Sequence, residues 1–411
     1  MGSAASTLES SRPSTAKPVP SDMANWNELP QLFSEEGSAG DESKNFRSWD
    51  FNIWHLDDEF LLPLTMHIAA DLGFQKTFSF DTSIWCNFIW EVQRLMSHTI
   101  NPYHTYRHAI DVAQTCACMV KGFSASIWLS DLDMFALYVS AIVHDLEHPG
   151  LNNVYQVNAG TPLAIRYNDI SVLENHHCAK AFEVFSLPKC NIINNFTLEQ
   201  KKYMRKTIIS LVLITDMTHH FNLRGDLDAV IAKHMQDSSA SKLDEKDTLI
   251  VLKSIIHTAD ISNPAKPWEI SKKWSDLVIQ EFFEQGDREK RESLPVSMNC
   301  DRDTTHQDEL SMNFTDFIVA PFFFSMAKLL PKMLGVCKIL ESNRNEWHKL
   351  YIARATASIA DEAARTEALG KWEARRAGFA EKITDLEKSV EAIWAAVPAA
   401  IEETACAEVK S

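Results

Sequence analysis

The sequence predicts an all-α fold. Three observations carry that expectation: only 12 of 411 residues are Gly and 15 are Pro, 45% are hydrophobic, and the apolar residues recur at helical spacing over long stretches. Strand-and-turn proteins need more turn formers than this. A formal charge of −16 and an isoelectric point of about 5.4 exclude a broad phosphate-binding surface for DNA or RNA. No nucleic acid partner is expected, and any nucleotide chemistry must be confined to a site.

Along the chain, residues 1–45 are rich in Ser, Pro, Ala and acidic residues without a sustained period, and read as a disordered tail. Its start, MGSAAS, fits the N-myristoylation pattern with Gly2 as acceptor. One acyl chain binds membranes only marginally, and no Cys or basic cluster lies nearby, so at most weak, reversible attachment is expected. Order should begin near WDFNIWHL, and residues 46–355 read as one folded body without internal repeat or compositional gap. The eight cysteines are scattered, with no CxxC pair and no secretory signal ahead of them, which points to a reducing, intracellular compartment. The apolar runs around 134–143 and 317–330 look too short to span a bilayer, the second interrupted by Pro321, and read as core helices. In the Ala- and Glu-rich segment 356–411, Phe379, Ile383, Leu386, Val390 and Ile393 recur at alternating four- and three-residue steps. They predict an amphipathic helix, stopped by Pro398, that docks onto the body rather than dimerising. Monomer and homodimer both stay open.

Three segments carry chemistry. In the first, Ser130 with Asp133 three residues on reads as a helix start, and Met134, Leu137, Tyr138, Ala141 and Ile142 form a buried face. The stretch VHDLEHPGLNN follows, with Pro149 and Gly150 expected to end the helix. This spacing places His144 and His148 one turn apart on one face, with Asp145 beside them. Imidazole with carboxylate is a good ligand set for divalent metals, although a lone His near a helix end is more often a capping or surface residue. In NPYHTYRHAIDV, Asn101 and Pro102 look like a helix start, which puts His104 and His108 one turn apart. In LIVLKSIIHTADISNP, an apolar helix ends in His257 and Asp260 and is closed by Asn263 and Pro264. A carboxylate at the end of a buried helix needs a cation or donors. Together the three ends predict a metal centre.

With those residues in view, HTYRHAIDV, VHDLEHPGLNN, VLENHHC, ITDMTHH, HTADISNP and EFFEQGDRE resemble, in this order, the signature blocks of the class I cyclic nucleotide phosphodiesterases. The resemblance covers roughly residues 50–350. It implies a compact multi-helix catalytic domain, expected to be HD-type, with a deep pocket over two divalent metals, Zn2+ at the first site and Mg2+ or Mn2+ at the second. By motif, His108, His144, Asp145 and Asp260 would hold the first metal, with Asp145 bridging to the second. His148, Glu174, His177 and Thr215 match positions that orient metal-held water. A water activated by the metals would attack phosphorus in line, and His104 matches the acid that protonates the leaving 3′ oxygen. The acidic residue that orients this His in relatives stays unassigned.

Tyr103, Asn263, Trp274 and Phe314 match the base pocket, with Phe314 as the aromatic clamp over the purine. Most relatives carry a glutamine three residues before that Phe, where this chain has Ser311, and the nearest glutamine is Gln307. A serine hydroxyl is shorter than an amide and has one donor rather than two. Either Ser311 holds the base more weakly, or a local shift lets Gln307 reach in; ungapped flanking blocks favour the first. The expected activity is hydrolysis of 3′,5′-cyclic nucleotides to 5′-monophosphates in the cytoplasm, with cAMP favoured over cGMP on family grounds. Two alternatives are a silent cyclic nucleotide-binding relative and another HD-type phosphohydrolase. The complete ligand set argues against the first, and HTADISNP together with EFFEQGDRE against the second.

Overall fold

Local capping chemistry starts about half of the helices. In the computed structural model, which describes residues 45–79, 81–234 and 243–395, sixteen α-helices and no strand are found among the described residues. The first four are α1 (Leu61–Asp71), α2 (Phe74–Phe78), α3 (Thr82–Met96) and α4 (Tyr106–Ala117). They are followed by α5 (Asp131–Val143), α6 (Asn153–Asn158), α7 (Pro162–Tyr167), α8 (Val172–Ser186), α9 (Leu198–Leu213) and α10 (His220–His234). The remainder are α11 (Glu245–Asp260), α12 (Trp268–Arg291), α13 (Gln307–Phe314), α14 (Ala320–Leu329), α15 (Met333–Ser358) and α16 (Glu362–Ala395). The side chains of Asp81, Ser130, Thr161, Thr197 and Asp244 each accept a backbone N–H of the helix they open.

At the centre, α5 packs against α4, α9 and α11. From Phe135 to Val143 every residue of α5 is buried, as suits a helix surrounded by others. Its predicted start is found: Ser130 and Asp133 form a capping box. Its end is not where Pro149 suggested. The helix stops at Val143, and residues 144–147 form a turn in which Glu147 has a left-handed φ of 65°. His148 therefore lies off the helix. Proline disfavours a helical residue before it, so the break falls upstream of Pro149 rather than at it.

Helix α4 also begins later than expected. Thr105, extended at φ −123° and ψ 170°, is the N-cap and accepts the His108 N–H, so His104 precedes the helix. A hydroxyl able to cap outweighs Pro102 as the starting signal.

The apolar run near 317–330 is longer than the sequence suggested. Helix α13, a π turn over Thr315–Val319 and α14 form one helical path, Gln307–Leu329, of 23 residues, long and apolar enough by length and composition to cross a membrane. Pro321 sits in the first turn of α14 and does not break it. Half of the path's apolar window is buried, with Phe322, Phe323, Met326 and Ala327 fully enclosed. Helices α10, α15 and α16 pack around α14. On α16, Phe379, Ile383, Leu386 and Val390 are buried and belong to the main core, with Ile393 packed against it. Gly2, the N-terminal tail to residue 44 and Pro398 lie outside the described residues.

Helix α12 positions the site. Glu281, Gln285 and Glu289 recur every four residues on one face and are all buried. Gln285 exchanges two hydrogen bonds with Asn152, at 2.9 and 3.0 Å, tying α12 to the turn after α5. Glu289 accepts the backbone N–H and hydroxyl of Ser297 at 2.7 and 2.5 Å. Between them, a Cβ on Gly286 would lie 1.9 Å from the Cys300 carbonyl oxygen, so only glycine lets the returning chain lie on the helix.

Candidate functional site

The ligand-bearing atoms of His108, His144, Asp145 and Asp260 all lie within 4.8 Å of one another. Three stretches deliver them: the first turn of α4, the turn after α5 and the last residue of α11. His108 Nε2 is 3.2 Å from Asp260 Oδ1 and 3.5 Å from Asp145 Oδ2. His144 Nε2 is 3.1 Å from Asp145 Oδ2 and 3.3 Å from Asp260 Oδ1. Both imidazoles are fully buried. His144 donates from Nδ1 to the Ala141 carbonyl at 2.8 Å, which fixes the tautomer and leaves the Nε2 lone pair facing the carboxylates.

This donor set fits a divalent metal. His144 Nε2 and Asp145 Oδ2 are buried without a hydrogen-bond partner, a costly arrangement that a cation between them would relieve. Two nitrogens and two carboxylates suit a zinc-class ion. Burial would push the Asp145 and Asp260 carboxyls up, but His144 overrides it and both are held well below the usual carboxylate range. Reciprocally, those carboxylates outweigh burial at His144 and raise its imidazole. Bound metal takes the place of that proton. The other oxygen of Asp145, Oδ1, faces His177 Nε2 at 3.8 Å on the opposite side.

Beside the cluster stand the residues expected to orient water. His177 donates from Nδ1 to the Leu146 carbonyl at 2.7 Å, and burial lowers its imidazole to about 4. His148 accepts the Gly150 N–H on Nδ1 at 3.0 Å, leaving its Nε2 as the donor; burial, then the neighbouring His104, pushes it well down. Gly150 itself, at φ 72°, could not carry a Cβ, which would meet Asn101 Oδ1 at 2.6 Å. Glu174 receives both its hydrogen bonds from the Asn153 amide, at 2.9 and 3.1 Å, and burial raises its carboxyl to about 7. The Thr215 hydroxyl donates to the Val212 carbonyl at 2.8 Å.

His104 is gripped by a residue that sequence reasoning left unassigned. Glu281 of α12 pairs with His104 Nδ1 through one oxygen, and through the other accepts the backbone N–H groups of Tyr103 and His104, at 2.9 and 3.1 Å. Burial works against the His104 charge, but Glu281, Asp145 and Asp260 prevail and raise the imidazole to about 9. The opposite effect holds Glu281 at about 2, against the upward push of its burial. His104 stacks on His148 with centroids 3.8 Å apart, and Asn101 donates to the carbonyls of both, at 2.9 and 2.7 Å. Glu281 opens the EFFEQGDRE block, but nothing in that block names the loop it grips.

A cavity of about 560 Å³ rises from this floor. Its lining takes in Tyr103, His104, Asp145, His148, Glu174, His177, Thr215, Asp260, Asn263, Trp274, Ser311 and Phe314, while His108 and His144 lie enclosed behind it. The Tyr103 hydroxyl donates to Asn263 Oδ1 at 2.5 Å, and the Tyr103 ring meets Trp274 edge-on at 5.5 Å. Ser311 Oγ is 3.2 Å from Ser275 Oγ. Gln307 is not among the lining residues: its amide is held by Asp276 at 2.7 Å and by Ser275 at 3.0 Å.

A family model described as 3'5'-cyclic nucleotide phosphodiesterase matches residues 103–340, more than half the chain. The chain belongs to this family. The HD-type part of the expected fold class is thereby corrected. A His144–Asp145 doublet is compatible with either fold, whereas the match spans helices α4 to α14 and the start of α15, and assigns a family distinct from the HD-domain phosphohydrolases. A Dictyostelium discoideum relative, "3',5'-cyclic-nucleotide phosphodiesterase regA", is 34% identical over 78% of this chain and 40% of its own length. A Homo sapiens relative, "High affinity cGMP-specific 3',5'-cyclic phosphodiesterase 9A", is 37% identical over 68% of this chain and 46% of its own. The chain thus spans less than half the length of these relatives. Among solved structures, the phosphodiesterase domain of Salpingoeca rosetta rhodopsin phosphodiesterase superposes with a TM-score of 0.72 at 28% identity, covering 77% of this chain and 95% of that domain.

Metal binding has a readout independent of turnover. Zn2+ or Mn2+ added to metal-free protein should raise its melting temperature, since a ligand at a hundredfold excess over its Kd stabilises by about 2.7 kcal/mol. Asp260→Ala should remove most of that rise in a thermal scan. An equal rise in the variant would place the ion elsewhere.

Proposed function

We propose that this chain hydrolyses 3′,5′-cyclic nucleotides to nucleoside 5′-monophosphates. The observation that carries this is the union, on one pocket floor, of a two-His, two-Asp cluster with an imidazole held by its own buried carboxylate. In this reading His108, His144, Asp145 and Asp260 hold a zinc-class ion. Asp145, with one oxygen in the cluster and the other turned towards His177, would be available to a second ion of the magnesium or manganese class. When bound, the ions supply a nucleophile from water at neutral pH and offset the charge of the phosphate. Glu174, His148, His177 and Thr215, which line the same pocket, would orient water held by that ion. Neutral His148 and His177 can do so without repelling a cation.

His104 is the acid. A departing 3′ alkoxide is strongly basic, and an imidazole kept protonated by Glu281 can deliver the proton it needs. The remaining walls bind the nucleoside, with Phe314 stacking on the purine. Ser311 contributes a single hydroxyl beside Ser275. A carboxylate only accepts, so Asp276 turns the Gln307 amide nitrogen towards itself and Ser275. Ser275 accepts from Gln307, and in its contact with Ser311 either hydroxyl can donate, so Ser311 can offer the ligand a donor or an acceptor. Both purines present donors and acceptors, so a lone rotatable hydroxyl discriminates poorly; this reading keeps only a weak preference for cAMP over cGMP.

Purified protein with Mg2+ or Mn2+ should hydrolyse cAMP and cGMP supplied separately, and His104→Ala should lower kcat by about 10²–10⁴-fold while nucleotide still binds. Tight binding of one nucleotide with hydrolysis of neither would instead make the chain a silent binder. Glu281→Gln should move the alkaline limb of the pH–rate profile to lower pH. The carboxylate raises the His104 pKa, so its loss leaves the imidazole deprotonated sooner as pH rises. An unmoved limb would remove His104 from the acid's role. Ser311→Gln should lower the KM; an unchanged value would show that the base contacts another wall.

A further inference from the structure

Helix α13 carries the pocket residues Leu310, Ser311 and Phe314, yet it has only eight residues. It is the first segment of the helical path Gln307–Leu329, joined to α14 through the π turn, and its placement over the pocket depends on that turn and on what packs against it. It is pinned at both ends by arginines from later helices. At its first turn, Arg354 of α15 donates to both oxygens of Asp308, at 2.8 and 3.0 Å, and to Glu309 at 2.5 Å. Across Phe314, Arg375 of α16 donates to Asn313 Oδ1 at 3.1 Å and Asp316 Oδ2 at 2.6 Å. The chain leaves Phe314 in a π turn, a wide turn without the regular helical bonding that would stiffen it.

The same guanidinium lies 3.9 Å from the Trp372 ring centroid and 5.1 Å from that of Phe317. Trp372 belongs with Met312, Trp347 and Tyr351 to a small apolar cluster apart from the main core, and Trp347 lines the pocket. Helix α16 thus reaches the nucleotide pocket twice, by hydrogen bonds to the residues flanking Phe314 and by packing behind Trp347. It begins at Glu362, beyond residue 340 where the family match ends.

We infer that Arg375, in the first half of α16, is a positioning residue that sets Phe314 over the base. The inference rests on the function proposed above. Loss of Arg375 need not unfold the protein, because Asp316 keeps the fully buried Arg344, at 2.6 and 2.9 Å, and no buried charge is left unpaired. Arg375 is itself 23% exposed, and Phe379, Ile383, Leu386 and Val390 still dock α16. What is lost is the anchor at the last turn of α13.

In the full chain, Arg375→Ala should raise the KM for cyclic nucleotide roughly five- to tenfold with kcat within about twofold, as expected when binding common to ground and transition states is removed. Arg375→Lys should recover little, since one ammonium lacks the planar fork that spans both acceptors. Val390→Ala, at the far end of α16, is the control: it should lower the melting temperature and leave the KM unchanged. An unchanged KM in Arg375→Ala, or an equal rise in Val390→Ala, overturns the inference. Calorimetric titration with cAMP and cGMP reads the same shift as a Kd, so an unaltered chain that binds but does not turn over tests this inference while failing the hydrolase reading. An unaltered chain that neither binds nor hydrolyses overturns both.

Discussion

Two carboxylates held against two imidazoles inside the protein are the constraint on which the remaining architecture depends. Asp145 and Asp260 sit where α4, α5 and α11 meet, and every helix around them restricts water's access to charges that need either protons or a cation. The cost of enclosing them explains why α5 is apolar all round: the central helix supplies the burial that keeps the cluster together. It also explains the anchoring of imidazoles to backbone carbonyls at Ala141 and Leu146, since a ring free to turn would present the wrong nitrogen.

A second layer of buried polarity works at one remove. The stripe Glu281, Gln285, Glu289 on α12 grips, in order, the loop bearing His104, the turn bearing Asn152 and the returning chain at Ser297. One straight helix therefore sets three irregular segments at once. Buried polar stripes of this kind are tolerable only when each group is satisfied, and here each has named partners. The binding wall is built differently, from a short helix steadied by arginines of α15 and α16, so floor and wall answer to separate supports.

Much of this was legible in the sequence because its signals are local. Capping residues such as Ser130 mark where helices start, and the His and Asp doublets at helix ends declare a need for a cation. The misplacements share one cause: Pro102 and Pro149 indicate that a helix boundary is near without saying which residue wins it. Thr105 and Glu147 decided those cases through backbone geometry. Glu281 was out of reach for a different reason. Its partner lies 177 positions away along the chain, and nothing near it names that partner. Ser311 and Gln307 could be ranked from sequence only by counting; Asp276, which holds the glutamine away from the cavity, becomes relevant only once α12 and α13 lie side by side.

The turn after α5 shows how geometry can outlast the residue that occupies it. Glu147 adopts a left-handed conformation, and its carboxylate rests on His176 at 2.9 Å and Lys180 at 3.5 Å on α8. The turn needs only a residue that tolerates positive φ, for which Gly and Asn serve at least as well. Glu147→Gly or Glu147→Asn would then retain the path from His144 to His148. The backbone there, rather than the side chain, decides whether two histidines reach one site.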